Sequence, residues 1–470
     1  MRRAKIICTI GPASWAPDAL GALIDAGMDV ARLNFAHGSY DQHARVIADL
    51  RACAAQRRRP IAILQDLSGP KLRIGAIDGE PVRLQDGASF TLTAEPVAGN
   101  AERAALNEPA LLDEIKPGQT ILLGDGAITL IAREAVRRAW RCEVIHGGAL
   151  SGHAGLHLPG ARLSMPALTA KDEADLRFGL SHDIDFVGLS FVRRASDLAR
   201  VHEIAAASGQ SVPVIAKIEK PEALDDLDAI IAAADGIMVA RGDLGVELPL
   251  ERVPRIQKQL IGAANRAGKS VITATQMLQS MMSQPQPTRA EVSDVATAIL
   301  DGTDAVLLAS ETATGRYPVE ATAQIARIIE ATEQGVDDDE RVLRRRHTAK
   351  RDLPQAVSHA ACTMASDLEA AAILTPTRSG GTARRVAGYR PSAPIIAVSA
   401  NPATVRRLML CWGVQPSQVE PYSTTDEMIE RAKAAALASG LVKKGEMVIV
   451  TAGAQAGGAG STDLIKAERV

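Results

Sequence analysis

The sequence predicts a TIM (β/α)8 barrel with a small β-barrel domain inserted after strand 3 and a three-layer α/β domain at the C-terminus. Three observations carry this reading. Short apolar runs recur and end in polar or charged residues, helix-patterned segments fill the gaps, and one gap is far longer than the others. The runs are KIICTIGP, VARLNFAHG, IAILQDLSGP, FVGLSFVRR, VIAKIEK, GIMVARGDLG, VITATQML and AVLLASETA, beginning near residues 5, 30, 61, 186, 214, 236, 271 and 305. Eight β-α repeats of about 22 to 35 residues match the barrel period, which places a site at the strand C-termini.

The elements follow in order. Residues 18–26 and 250–267 illustrate the helical segments between runs. Residues 70–165 are rich in Gly, Pro and β-branched types and hold short alternating runs such as ITLIA and WRCEVI, a β pattern. The barrel is therefore assigned to 1–70 and 167–345, and the insert to 71–166. Mounted on the catalytic rim, the insert can close over a substrate as a lid. The charged stretch 337–352 reads as a solvated helix end and linker. Beyond it, AAILTPT, PIIAVSA and MVIVTAG alternate with helical patterns, giving a three-layer α/β domain over 346–470. There, TPTRSGGTARRV opens a helix with Thr377, Ser379 and Thr382, which suits either a phosphate or an ordinary capped turn.

Composition narrows the function classes. A net charge of −2 gives no electrostatic footprint for nucleic acid or a membrane, and 3% aromatic residues leave little for base stacking. The cysteines, Cys8, Cys53, Cys142, Cys362 and Cys411, are odd in number and lack CxxC spacing, as expected of reduced core thiols. The apolar run after Lys5 ends at Ile10, too short for a signal-peptide core, and no stretch approaches the ~18 apolar residues of a membrane span. A cytoplasmic protein is expected.

Chemistry concentrates in VPVIAKIEKPEALDDLDAIIAAADGIMVARGDLGVELP. One run stops at Lys217 and Glu219, the next at Arg241 and Asp243. Lys217 and Glu219 are two residues apart, so both project to one face of an extended chain. Glu219 and Asp243 suit a divalent metal, with Lys217 facing an anion that the metal also holds. A surface ion-pair cluster at strand ends is the competing reading.

Taken together, KIICTIGPAS, AGMDVARLNFAHG, QDLSGPKLR, LPGARLSMPALTAKD, FVGLSFVRRASD, VIAKIEK, DGIMVARGDLG, TATQML, PTRAEVSDVATAILDGTDAVLLASETATGRYPVEA and TRSGGTA resemble the pyruvate kinase family over nearly the whole chain. The resemblance implies phosphoryl transfer from phosphoenolpyruvate to ADP, giving pyruvate and ATP as the last step of glycolysis, in an allosteric homotetramer. It implies Mg²⁺ or Mn²⁺ on Glu219 and Asp243. Lys217, Arg32 and Thr275 then have catalytic roles, and Gly242 and Asp243 join them in binding substrate. Asn34, Phe35, Ala36, His37 and Arg73 lie on the nucleotide side, and Asp125 matches an acid near the closing cleft. No GxxxxGK[ST] sequence is present, so metal, lysine and arginine take over phosphate neutralisation.

Some positions depart from the family. Ala154 stands where a lysine is frequent, and Ala309-Ser310 precede Glu311 in place of Ser-Gly. In the K⁺-dependent members a monovalent ion sits among the positions of Asn34, Ala36, Asp66 and Leu67. Here Ala36 offers no hydroxyl, Ile74 replaces a polar residue, and Lys71 stands where those members carry glutamate. Lys71 is therefore predicted to supply the charge, and K⁺ not to be required. Two other functions fit parts of the pattern: an Mg²⁺-dependent lyase acting on pyruvate enolates, and a non-catalytic sugar-phosphate sensor. The first has no use for the insert or Arg73, and the second predicts decay at Lys217, Glu219 or Asp243, all of which are intact.

Overall fold

The computed structural model describes residues 2–124, 126–161, 164–334, 352–453 and 462–470. The chain opens with β1 (Lys5–Ile10), β2 (Val30–Asn34) and β3 (Ala62–Leu67). The long interval holds β4 (Val82–Leu84), β5 (Ser89–Thr93), β6 (Arg103–Ala105), β7 (Thr120–Leu123), β8 (Ile128–Val136), β9 (Ala139–His146), β10 (Gly148–Leu150) and β11 (Leu156–His157). Then come β12 (Phe186–Leu189), β13 (Val214–Ile218), β14 (Gly236–Ala240), β15 (Ser270–Ala274) and β16 (Ala305–Leu308). Strands β1-β16-β15-β14-β13-β12-β3-β2 close into a parallel barrel, and each of the apolar runs contributes one of them.

Period 2 explains both the core and the site. Ile7, Val30, Ala62, Leu64, Phe186, Ile215 and Ile272 fill the barrel interior, whereas Ile6, Cys8, Ala31, Ile63, Val187, Val214 and Ala216 pack outward under the helices. Counting on from the interior residues by twos reaches Thr9, Arg32, Asp66, Ser190 and Lys217, so alternation alone carries these polar side chains to the inward face at the strand C-termini.

The inserted segment forms a six-stranded sheet, β11-β7-β8-β9-β5-β6, with a β10-β4 ribbon. Bridges from Arg73 to Gly155 and from Ile74 to Leu106 tie its two edges together, as a small barrel requires. Phe90, Leu92, Ile121, Leu130 and Trp140 form its own core. At the hinge, Gly69 has φ +65, and a Cβ there would lie 2.6 Å from the Phe191 ring. Its N–H donates to Asp172, the residue that also closes the capping box of helix Ala170–Ser181.

The C-terminal sheet comprises β17 (Ala372–Pro376), β18 (Ile395–Ser399), β19 (Val414–Gln418), β20 (Met447–Ala452) and β21 (Leu464–Arg469), ordered β19-β18-β17-β20-β21. Ile373, Ile395 and Ile449 face one cluster, and Leu374, Ile396 and Val450 the other, so helices cover both faces in three layers. This unit plugs the N-terminal end of the barrel. Met409 and Leu410 join the barrel's interior cluster, Arg390 pairs with Asp304 at 2.6 Å, and Arg406 pairs with Asp183 and Asp185. All five cysteines are free and buried. Among the described residues, no helix is long and apolar enough to cross a membrane. Asp125 and the charged stretch 337–351 lie outside the described residues.

Candidate active site

Lys217 is the centre of the site. Its Nζ donates to Ser190 Oγ at 2.7 Å and stands 2.9 Å from Glu219 Oε1 and 3.2 Å from Asp66 Oδ1. Burial works against the ammonium, but Asp66 and Glu219 outweigh it and hold Lys217 above the usual lysine range. The surface ion-pair reading fails here, because Lys217, Asp66 and Glu219 are all buried. Arg32 donates from Nε to Asp66 Oδ2 at 2.6 Å and from Nη1 to Thr9 Oγ1 at 2.9 Å, which fixes the plane of its guanidinium. Asp66 thus joins both cations, and they draw its carboxyl below the ordinary range against the effect of burial.

Glu219 also accepts the Phe191 N–H on Oε2 at 2.9 Å. Burial first, and then the charge of Asp243, push its carboxyl up. A buried carboxylate beside a second one that faces the cleft favours a cation between them, and hard oxygen donors suit Mg²⁺. Among the described residues no group of three or more His, Cys, Asp or Glu is arranged to hold a metal. A site of two carboxylates completed by substrate oxygens and water is the form that agrees with this, since Mg²⁺ commonly takes one or two carboxylates plus substrate phosphate.

Asp243 lies on the short helix Arg241–Glu247, directly beyond β14. The Gly242 N–H donates to Thr275 Oγ1 at 2.7 Å, and that hydroxyl donates to Ala274 O at 2.6 Å. Arg241 grips Thr275 O at 2.6 Å and pairs with Asp294, holding a loop in which Thr275 and Gln276 both adopt positive φ.

Between the barrel and the insert is a cleft of ≈ 780 Å³ of open space, lined by Lys71, Arg73, His157, Arg193, Lys220 and Asp243 among others. Lys71 is partly buried. Burial and the Lys217 ammonium push it below the usual lysine range, while Asp66 and Glu219 act the other way, so it faces the same charges as Lys217. His37, after burial, is lowered by Lys71, Arg73 and Arg32. Asn34 Oδ1 accepts the Ala36 N–H at 3.1 Å, and Arg73 donates to His153 O at 2.8 Å. Phe35 is different: its ring is buried and stacked on His43, 4.1 Å between centroids, its N–H donates to Asp66 O at 3.0 Å, and its carbonyl accepts from Lys171 Nζ at 2.8 Å.

At the C-terminal loop, Thr377 Oγ1 accepts the Gly380 N–H at 3.0 Å, and Thr382 Oγ1 lies 2.8 Å from Thr462 Oγ1. Both threonines are buried, whereas Ser379 is exposed. Sequence reasoning passed over Ser190, Lys220, Glu247 and His157. Ser190 was accessible from the two-residue count along β12; the others converge only in three dimensions.

The family model described as "Pyruvate kinase, barrel domain" matches residues 1–322, and that for "Pyruvate kinase, alpha/beta domain" matches 355–467. The chain belongs to the pyruvate kinase family. It is 46% identical over 468 residues to pyruvate kinase of Geobacillus stearothermophilus, covering 99% of this chain and 80% of that one. To pyruvate kinase 2 of a Synechocystis species it is 47% identical over 473 residues, covering 100% and 79%. A solved pyruvate kinase from Cryptosporidium parvum superposes with a TM-score of 0.93 at 34% identity, covering 100% of this chain and 96% of the other.

Proposed function

We propose that the protein transfers the phosphoryl group of phosphoenolpyruvate to ADP, releasing pyruvate and ATP. The observation that carries the reading is the buried Lys217 ammonium, held between Asp66, Glu219 and Ser190 at the open end of the barrel. A fixed positive charge there opposes the negative charge of a phosphoryl group in flight and needs no reorganisation during the reaction. Arg32 receives the substrate phosphate with the guanidinium edge left over from Asp66 and Thr9. The Thr275 hydroxyl and the Gly242 N–H, bonded to each other with the hydroxyl donating on to Ala274 O, would turn to a substrate carboxylate when it binds. The enolate takes its proton on the Thr275 side through water, since a threonine hydroxyl is too weak an acid to supply it unaided. Mg²⁺ or Mn²⁺ on Glu219 and Asp243 would neutralise substrate oxygens. Formation of pyruvate from phosphoenolpyruvate and ADP, with and without Mg²⁺, tests the assignment; a purified, folded protein without this activity overturns it.

Three further assignments belong to the same reading. The first is that Lys71 replaces K⁺. Oxygens of the expected ion cage already have protein donors: Leu67 O accepts from Ser190 Oγ at 2.7 Å and Asn34 Oδ1 from Ala36. Replacing K⁺ by a bulky tetraalkylammonium salt at equal ionic strength should leave activity unchanged, and Lys71→Glu should create a K⁺ requirement. Strong activation of the parent by K⁺ refutes this. The second is an effector phosphate at Thr377, Ser379 and Thr382, tested by calorimetry against sugar phosphates and nucleoside monophosphates; no binding that Thr382→Ala weakens removes it. The third is a cytoplasmic homotetramer with domain limits at 70/71, 166/167 and 345/346, in which mass measurement in solution decides the assembly.

A further inference from the structure

The cleft holds a charged cluster that the proposed chemistry does not use. Glu247 ends the helix that begins with Arg241, Gly242 and Asp243, and its carboxylate is almost wholly buried. One oxygen, Oε1, takes two partners from different parts of the molecule: Lys220 Nζ at 2.5 Å, from the loop after β13, and His157 Nδ1 at 3.5 Å, from β11 of the inserted domain. Burial alone would raise this carboxyl, yet hydrogen bonding from His157 and the Lys220 charge hold it below the ordinary range.

We propose that His157, Glu247 and Lys220 are positioning residues that dock the inserted domain onto the helix carrying Asp243. The inference rests on the phosphotransferase reading of the site. Asp243 and Glu247 are four apart on one helix, so they share a face, and a pull on one end is felt at the other. Lys220 extends the link: it lies 5.8 Å over the Phe191 ring, and the Phe191 N–H is the donor to Glu219. The His157 contact stands at the outer limit of hydrogen bonding, so a small further closure of the insert converts it into a full bond to a charged acceptor. Arg193 adds a second tether by donating to Met165 O, near the insert's return to the barrel. Seating the lid thereby orders both carboxylates assigned to the metal, and a lid that does not seat leaves them less well placed.

The experiment uses full-length protein with spin labels at Arg137→Cys on the insert and Arg255→Cys on the barrel; both positions are exposed, and the native cysteines are buried. His157→Ala should broaden the inter-label distance distribution and shift it outward. It should also lower kcat/KM for ADP on the order of tenfold, the scale of one hydrogen bond to a charged group. Mn²⁺ binding measured without substrate should weaken in parallel. His157→Lys puts an N–H donor back opposite Glu247 and should restore the distance and most of the activity. An unchanged distance distribution in His157→Ala overturns the proposal, as does a His157→Lys variant no better than His157→Ala. The distance readout needs no turnover, so a parent protein that failed the pyruvate assay would count against the function and leave the docking result separately interpretable.

Discussion

Replacing Lys217 by methionine removes a charge that the structure uses twice. In the proposed reaction it is the cation facing the transferring phosphoryl group, and loss of one preorganised electrostatic group commonly lowers kcat by about 10² to 10³. It is also the counter-ion of two buried carboxylates, Asp66 at 3.2 Å and Glu219 at 2.9 Å. Asp66 keeps Arg32 as a partner, but Glu219 is left with the Phe191 N–H and the repulsion of Asp243. Breaking a buried pair from one side costs about 3 to 5 kcal/mol, so Lys217→Met should lose stability as well as rate. The metal site is therefore not left untouched by this substitution, because Lys217 is Glu219's own ion-pair partner. The two effects separate in Lys217→Met/Glu219→Gln. There the unpaired charge is gone and denaturant stability should recover, while activity stays lost. Steady-state kinetics and urea unfolding on the parent, single and double variants make the comparison. A single variant with less than a tenfold loss in kcat refutes the role of the charge in transfer. A double variant no more stable than the single one refutes the pairing argument.

Two other outcomes follow from the geometry. Glu219→Ala and Asp243→Ala should each raise the Mg²⁺ concentration needed for half-maximal activity; titrations that overlay the parent's would mean the ligands are misassigned. Asp29 accepts the Ile6 N–H and pairs with Arg2 and Arg59, and although burial opposes it, these cations and Lys5 bring its pKa down to about 2. A folded-state pKa below the unfolded value of about 3.9 contributes about 2 to 3 kcal/mol that is present above the unfolded pKa and lost as pH falls through ~2. The stability gap between parent and Asp29→Asn should shrink over that window, and a gap constant with pH would exclude the linkage.

Much of the barrel was legible because its signal is local. A parallel strand buried on both faces reads as a continuous apolar run, and the polar residue ending it marks the catalytic rim. The same period brought Lys217 and Glu219 together, as the 2.9 Å contact bears out. What escaped was either weakly apolar or non-local. Strand β19, VQPSQ, is an edge strand with a proline and mostly partial burial, so neither alternation nor a run announces it. β21, LIKAER, pairs antiparallel to β20 but is half charged and at most partly buried, so no apolar run announces it. Phe35 stood among nucleotide-side residues by motif, but β-strand alternation at the end of β2 turns its ring outward into the helix layer. The Lys220–Glu247–His157 cluster joins three segments that no spacing rule connects.

The distribution of charge also accounts for the burial of several ionised groups at the barrel rim. Arg32, Lys71 and Lys217 face Asp66, Glu219 and Asp243, so each buried charge has an opposite partner before any substrate arrives. Without those partners the desolvation cost would disrupt the barrel rim. The pairing is uneven in space, however. Asp66 and Glu219 lie inward, while Lys71, Arg73 and Arg32 together depress His37 on the nucleotide side. The cleft lining holds Lys71, Arg73, Arg193 and Lys220 against Glu222 and Asp243, an excess of positive charge where phosphoenolpyruvate and ADP, both strongly anionic, enter. Low-dielectric walls concentrate that field, and added salt weakens it beyond about 8 Å at physiological ionic strength. Inner pairing thus holds the fold together, and the outer excess of cations draws the substrates in.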